Sequence, residues 1–314
     1  MIPSFKNYIW GGDRLAKEFG KKTDGCTVAE SWEVSCHPDG PSFVGSGEFE
    51  GMALREVLDA RPEWISPGCA DASGFPILIK LIDAKQNLSL QVHPDDAYAR
   101  AHENDNGKNE AWYIIDCEPG AGLILGLREH TSPIDIPAMI NDGVILDYVN
   151  TVPVKPGDSF LIPAGLLHAV CGGALIAEVQ QSSNITYRVY DYGRLETDGK
   201  PTALHIDKAA AVIDETLRSY NGADFAVTRR CDGFWIADLA DWRFFKTSKL
   251  SIDGEASLVC DSSFHALLVI EGAFSVAAPG PQPISVIKGA SVFIPAGLGK
   301  YMIKGRGQIL LTTI

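Results

Sequence analysis

Four side chains able to hold a metal ion fall within two strand-like stretches and one turn. In Leu88 to Asp95, LSLQVHPD, the apolar residues Leu88, Leu90 and Val92 alternate with Ser89, Gln91 and His93. Alternate side chains of a strand share a face, so one face packs and the other presents a hydroxyl, an amide and an imidazole. Glu110 heads the apolar stretch EAWYIID, and His168 closes the turn PAGLLH. Gln91, His93, Glu110 and His168 together offer mixed nitrogen and oxygen ligation. That set suits zinc or another divalent first-row ion with one coordination position left open.

The elements that must position these residues are mostly strands. Phe75 to Ala84, FPILIKLIDA, is a nearly continuous apolar run expected to be a buried strand, and Lys80 in its middle calls for a reason. Ala174 to Gln181 reads as a further strand. Lys108 and Glu110 are two apart, so on an extended segment both can face one cavity. Residues 1 to 50 are expected to be strands and loops laid over a barrel. Arg55 to Ile65 has helical spacing that stops at Ser66-Pro67. Short helices are expected over DDAYARAHE from Asp95 and over Ser132 to Gly143, and a longer one over Ile206 to Tyr220.

A repeat sharpens this architecture. Gly157-x5-Pro163-x-Gly165-x2-His168 matches Gly289-x5-Pro295-x-Gly297-x2-Lys300 without a gap, and EAWYIID before the first copy resembles HALLVIE, His265 to Glu271, before the second. Gly157 relaxes a turn, Pro163 and Gly165 force a tight reversal, and the residue after them is thrown into the mouth of a barrel. Lys300 replaces His168 in the second copy. The expectation is a mainly β protein of two related barrels with a few short helices: a metal-bearing domain over 1–223 and a domain without metal ligands over 224–314.

The totals bound the function. The chain has 314 residues, 46% hydrophobic and 21% charged, with a net charge of -13. Such a balance suits a well-cored protein and argues against non-specific nucleic-acid or anionic-membrane binding, which needs basic surface. Seven cysteines with no C-x-x-C pair are expected to be reduced thiols, and a cysteine-based zinc site is not supported. MIPSFKNYIWGGDRL has no signal-peptide pattern, and no run approaches the roughly 20 apolar residues of a membrane span, so a cytoplasmic chain is expected. His37, His102, His130, His205 and His265 read as surface or core residues. Among the tryptophans, Trp10 alone is kept open as a substrate platform.

The G-x5-P-x-G-x2-H pattern is similar to that of the cupins, small β-barrels or jelly rolls that hold a metal inside. Further motifs narrow the resemblance: WGG at Trp10, AESWEVSCHPDG from Ala29, IKLIDAKQNLSLQVHPDD from Ile79, GKNEAWYII from Gly107, IPAGLLHA from Ile162 and ITYRVYDYGR from Ile185. In that order they resemble the type I mannose-6-phosphate isomerases, in the short bacterial form. The resemblance implies one zinc ion per chain, held by Gln91, His93, Glu110 and His168. It makes Arg188 the catalytic arginine and places Lys80, Ser89 and Lys108 in the sugar-phosphate pocket, Lys108 also being a candidate for proton transfer. The family often has an aspartate four residues before the arginine, where this chain has Asn184. The implied activity is isomerisation of mannose 6-phosphate to fructose 6-phosphate through a cis-enediol, by a monomer or weak homodimer. Another cupin sugar-phosphate isomerase, a metal-dependent oxygenase, or a non-catalytic metal- or sugar-binding cupin are the rival expectations.

Overall fold

Short alternating segments make antiparallel strands the main regular structure of the chain, with only short helices among the described residues. The computed structural model describes residues 1–21, 27–68, 74–128, 131, 135–196, 199–217, 220–221, 228–280 and 282–314. In chain order the first part runs β1 (Ser4–Lys6), α1 (Arg14–Phe19), β2 (Glu30–Val34), α2 (Leu54–Ala60), β3 (Ile77–Ala84), β4 (Leu90–Val92), α3 (Asp96–His102) and β5 (Glu110–Cys117). It continues with β6 (Gly122–Leu127), α4 (Ile136–Asn141), β7 (Val149–Pro153), β8 (Ser159–Ile162), β9 (His168–Val170), β10 (Ala174–Gln181), β11 (Tyr187–Tyr190), α5 (Ile206–Val212) and β12 (Tyr220–Asn221). The last part is all strand: β13 (Thr228–Cys231), β14 (Phe234–Asp241), β15 (Lys246–Cys260), β16 (His265–Ala277), β17 (Ile284–Ile287), β18 (Ser291–Ile294) and β19 (Gly299–Thr313).

Three sheets result. The first has the order β1-β2-β3-β10-β5-β8-β12 and the second β11-β4-β9-β6-β7; between them lies the candidate site. The third has the order β13-β14-β15-β19-β16-β17, with β18 paired to β16. The long runs of β3, β5 and β10 are explained by burial on both faces. Ile77, Ile79, Leu81, Tyr113, Leu175 and Val179 join Leu268 and Leu310 of the third sheet, and Phe245 and Phe264 just before two of its strands, in one apolar cluster. On the opposite face Ile82, Trp112, Ile114 and Ile176 pack inward with Leu123, Leu125, Phe160 and Ile162. The expected boundary at 223/224 lies outside the described residues; the apolar cluster is continuous between the sheets before and after it.

The repeat is visible in the backbone. Gly157 and Gly165 have φ of +94° and +89°, and Gly289 and Gly297 have +88° and +76°. Gly157 and Gly289 lead into β8 and β18, and the turns at Gly165 and Gly297 join β8 to β9 and β18 to β19. Lys300 at the second turn is exposed, whereas His168 is fully buried.

Several sequence expectations are corrected. Arg55 to Ile65 is not one helix: α2 ends at Ala60, Arg61 has φ -139° and ψ 61°, and Pro62–Trp64 forms a separate 3-10 turn. Proline lacks the N–H and disfavours helical geometry at the residue before it, which moves the stop upstream from Ser66-Pro67. The helix expected over Ile206 to Tyr220 stops at Val212. Ile213 is extended, Asp214 Oδ1 accepts from the Thr216 N–H and hydroxyl at 2.9 and 2.6 Å, and Tyr220 pairs with Leu161 as strand. Such local side-chain bonds compete with the helical ladder. The first 50 residues do not merely cover a barrel, because β1 and β2 are strands of the first sheet, and α1 had no reading in sequence. Helix α3 forms as expected, its N-cap Asp95 accepting from Tyr98 N–H at 2.8 Å. The helix expected over Ser132 to Gly143 contains α4, with residues 132–134 outside the described residues, as are Cys26, Cys69 and His130. The five described cysteines are free thiols. Among the described residues no helix is long and apolar enough to cross a membrane.

Candidate metal centre and substrate cavity

Strand pairing assembles the site. Gln91 of β4 stands opposite His168 of β9, and on its other side Arg188 of β11 stands opposite Gln91. Directly opposed residues point to the same face of a sheet, so His168, Gln91 and Arg188 form a row facing inward. From the facing sheet, Glu110 of β5 pairs in register with Gln180, and two residues along Glu178 of β10 lies between Lys80 and Trp112. Leu90 and Val92 pack on the outer face of the second sheet, as the alternation requires, while Leu88, before the strand begins, packs inward.

His93, Glu110 and His168 meet in a group whose ligand atoms all lie within 4.8 Å of one another, and all three are buried. His93 Nε2 is 3.3 Å from Glu110 Oε1 and His168 Nε2 is 3.8 Å from Glu110 Oε2. Each imidazole donates Nδ1–H to a backbone carbonyl at 2.8 Å, His93 to Ile185 and His168 to Leu166. A carbonyl only accepts, so this fixes the tautomer and leaves both Nε2 lone pairs aimed at the centre. The turns are tied together: Gly165 N–H donates to the His93 carbonyl at 2.8 Å and Ala164 N–H to Asn109 Oδ1 at 2.9 Å.

The Lys108 ammonium sits 2.8 Å from Glu110 Oε1 and 3.2 Å from His93 Nε2. It neutralises charge without meeting hydrogen-bond geometry at the carboxylate, so both buried Glu110 oxygens lack a hydrogen-bond partner. Burial raises the Glu110 carboxyl, but the adjoining Lys108 ammonium outweighs it and holds the group well below the usual carboxylate range. Burial, reinforced by Lys108, pushes His93 down to about 3, and burial also lowers His168. Two neutral imidazoles and an ionised carboxylate with orphaned oxygens are a donor set for a divalent cation. Gln91 lies at the edge of this group, its Nε2 3.4 Å from His168 Nε2 and its Oε1 accepting from Ser89 Oγ at 3.3 Å.

A cavity of about 370 Å³ opens beside the centre, lined among others by Lys80, Ser89, Gln91, Lys108 and Arg188. All the residues singled out in sequence therefore face the metal group or this cavity. Lys80 finds its reason here: its ammonium is 2.9 Å from Glu178 Oε1 and 3.9 Å from Glu30 Oε2, and Trp112 and Trp32 donate indole N–H to the same two carboxylates. Burial opposes the Lys80 charge, but Glu178 and Glu30 raise its pKa. Burial and the charge of Glu110 raise the pKa of Glu178. Arg188 has no carboxylate partner among the described residues. Asn184 also lines the cavity and donates Nδ2–H to Asp39 Oδ2 at 2.8 Å. Trp10 is buried, stacked on Tyr8 at 5.3 Å, and contributes to the wall.

Sequence reasoning missed Glu30, Glu178 and His205. The charged residues inside the apolar stretches of β2 and β10 were the available signal for the first two, as Lys80 was in β3. Nothing local marked His205, which follows β11 by fifteen residues yet lines the same cavity.

Comparison with known proteins agrees with this arrangement. The family model of the type I phosphomannose isomerase catalytic domain matches residues 1–116, and that of the mannose-6-phosphate isomerase cupin domain matches residues 237–314. A mannose-6-phosphate isomerase of Bacillus subtilis is 35% identical over 311 residues, covering 99% of this chain and 96% of the relative. One from Streptococcus mutans is 35% identical over 302 residues, covering 96% and 93%. The crystal structure of a Bacillus subtilis mannose 6-phosphate isomerase superposes with a TM-score of 0.92 at 36% identity, covering 99% of this chain and 98% of that one. With relatives about 35% identical over nearly the full length of both chains and two family models matched, the chain belongs to the mannose-6-phosphate isomerase family.

Proposed function

We propose that this chain interconverts mannose 6-phosphate and fructose 6-phosphate in a zinc-dependent reaction through a cis-enediol. One observation carries the reading: three ligand-type side chains and an unpaired arginine face one cavity in a chain alignable end to end with named isomerases of this sugar phosphate. Its volume of about 370 Å³ suits a small ligand; Lys80 and Lys108 are answered by Glu178, Glu30 and Glu110, so Arg188 is the lining cation of these three that has no carboxylate partner among the described residues.

His93, Glu110 and His168 would hold the zinc, with Gln91 as fourth protein contributor. A half-turn of the Gln91 amide exchanges Oε1 and Nε2, and the Ser89 hydroxyl can serve as partner to either. When bound, zinc supplies Lewis acidity to the sugar oxygens at C1 and C2. Arg188, cationic at any working pH, lies across one strand from Gln91 and stabilises the negative charge that develops on those oxygens as the enediol forms. The proton that leaves C2 as the enediol forms returns at C1, and Lys108, buried beside the metal group and facing the cavity, is the candidate to carry it. Lys80 and Ser89 line the wall and orient the sugar.

The test is formation of fructose 6-phosphate from mannose 6-phosphate by protein stripped with chelator and reconstituted with zinc. Activity lost on stripping and restored by zinc supports the reading. Zinc-loaded protein that leaves mannose 6-phosphate unchanged removes it, and turnover of glucose 6-phosphate instead would move the assignment to another sugar-phosphate isomerase.

A further inference from the structure

The inward row of the second sheet extends beyond Arg188. His205 donates its N–H to the Arg188 carbonyl at 2.8 Å, and the Arg188 N–H donates to His205 Nδ1 at 3.2 Å. His168, Gln91 and Arg188 are consecutive across the sheet, and His205, the N-cap of α5, joins Arg188 from beyond its edge strand β11. A backbone N–H only donates, so Nδ1 is the unprotonated nitrogen and the proton is on Nε2. That Nε2–H has no protein partner among the described residues, and the ring lines the cavity with Arg188, Asn184, Thr186 and Thr202.

The order of the row orients a ligand. At about 4.8 Å per strand, Arg188 stands roughly 10 Å of sheet away from His168, and His205 lies beyond the edge strand that carries Arg188. A hexose 6-phosphate that offers C1 and C2 to the metal end extends its phosphoryl group toward the other end. We propose that His205 Nε2–H is a phosphoryl contact, donating to an oxygen of the sugar phosphate on the side of Arg188 away from the metal group. A neutral donor is suited to that place, since it binds the anion without adding repulsion to the neighbouring arginine. Burial and the charges of Arg188 and Lys208 both favour the neutral ring. The contact rests on the functional reading above for the substrate, but its chemistry is that of any phosphate monoester.

Two amide substitutions separate a ligand contact from a structural one. In H205N the short amide reaches only the Nδ1 position and keeps an acceptor for the Arg188 N–H; in H205Q the longer amide reaches the Nε2 position and keeps the cavity donor. Equilibrium titration with inorganic phosphate and with mannose 6-phosphate, together with steady-state kinetics, reads the difference. H205N is expected to weaken both ligands about tenfold or more and to raise KM with kcat within about threefold, while H205Q stays within about threefold of the parent. Any other pattern, including equal losses in both variants or unchanged phosphate binding in H205N, overturns the assignment. Phosphate titration is independent of turnover, so an inactive parent protein that shows the H205N effect would remove the isomerase reading and keep this contact.

Discussion

Arg188 and Gln91 are direct cross-strand partners in the β4–β11 ladder, so the guanidinium is one strand away from the metal group and is held there by register alone. No carboxylate pairs with it among the described residues. We therefore expect R188A and R188K to lower kcat by about 10²- to 10³-fold, the usual effect of removing one preorganised charge donor, with little change in thermal midpoint. Kinetics beside thermal melts check this; turnover within a few-fold of the parent means that Arg188 is not catalytic.

Metal binding is expected to stabilise the fold through His93, Glu110 and His168. Stripped protein should gain stability on adding zinc, by about 2.7 kcal/mol at a free concentration a hundred times Kd, and H168A should lose most of that gain. Calorimetry with metal analysis reads both. An H168A protein that still binds one zinc with parental affinity would place the ion elsewhere.

Lys80 is an integral part of a buried charge network with Glu178 and Glu30, both of which also accept an indole N–H. K80M leaves those carboxylates uncompensated and should cost about 3–5 kcal/mol, measured by denaturant unfolding. The double variant K80M/E178Q should recover a substantial part. Equal stability of the single variant and the parent contradicts the network.

His265 gives the C-terminal sheet its own pH dependence. Its Nδ1 is 2.9 Å from the Tyr301 hydroxyl, and burial lowers its pKa. A depressed histidine pKa means the unfolded chain binds the proton first, so stability falls as pH drops below the ordinary value of about 6.5 toward the folded one. H265Q should show a smaller loss of thermal midpoint between pH 7.5 and pH 5.5 than the parent. An identical loss in both would assign the acid sensitivity to other groups.

The repeated turns predict unequal costs. Gly165 and Gly297 both have positive φ, but a β-carbon on Gly165 would lie 3.2 Å from Val212 O and Leu217 Cδ1, whereas nothing lies within 4 Å at Gly297. Both alanine variants pay the left-handed strain of about 1–2 kcal/mol. G165A should be the less stable and should also lose activity, because its N–H holds the His93 carbonyl. Urea midpoints and turnover of the pair check this, and a G297A variant more damaged than G165A reverses the expectation.

Much of the site was legible because its information is local. The Leu88 to Asp95 alternation separates packing from chemistry at a period of two, and β4 keeps that separation, with Leu90 and Val92 packed away and Gln91 facing the cavity. The turn glycines declared the repeat because glycine takes the positive φ the reversal needs without the steric cost of a β-carbon. Helix ends were less legible: Pro62 and the Asp214 turn stop α2 and α5 earlier than apolar spacing suggests. Propensity over a short window is weak, and a single bond or missing donor decides the end.

From sequence alone came the mainly β class, the paired turns, the ligand types and a buried lysine in want of a partner, all of which depend on residue type and spacing. The tertiary structure alone decided which carboxylates answer Lys80, that Arg188 follows Gln91 and His168 in one row, and that His205 joins it. The relations of Lys80 and of Arg188 are set by strand register, which pairs residues far apart in the chain through backbone hydrogen bonds indifferent to the side chains they bring together, and His205 is brought in from outside the sheet by its own hydrogen bonds to Arg188.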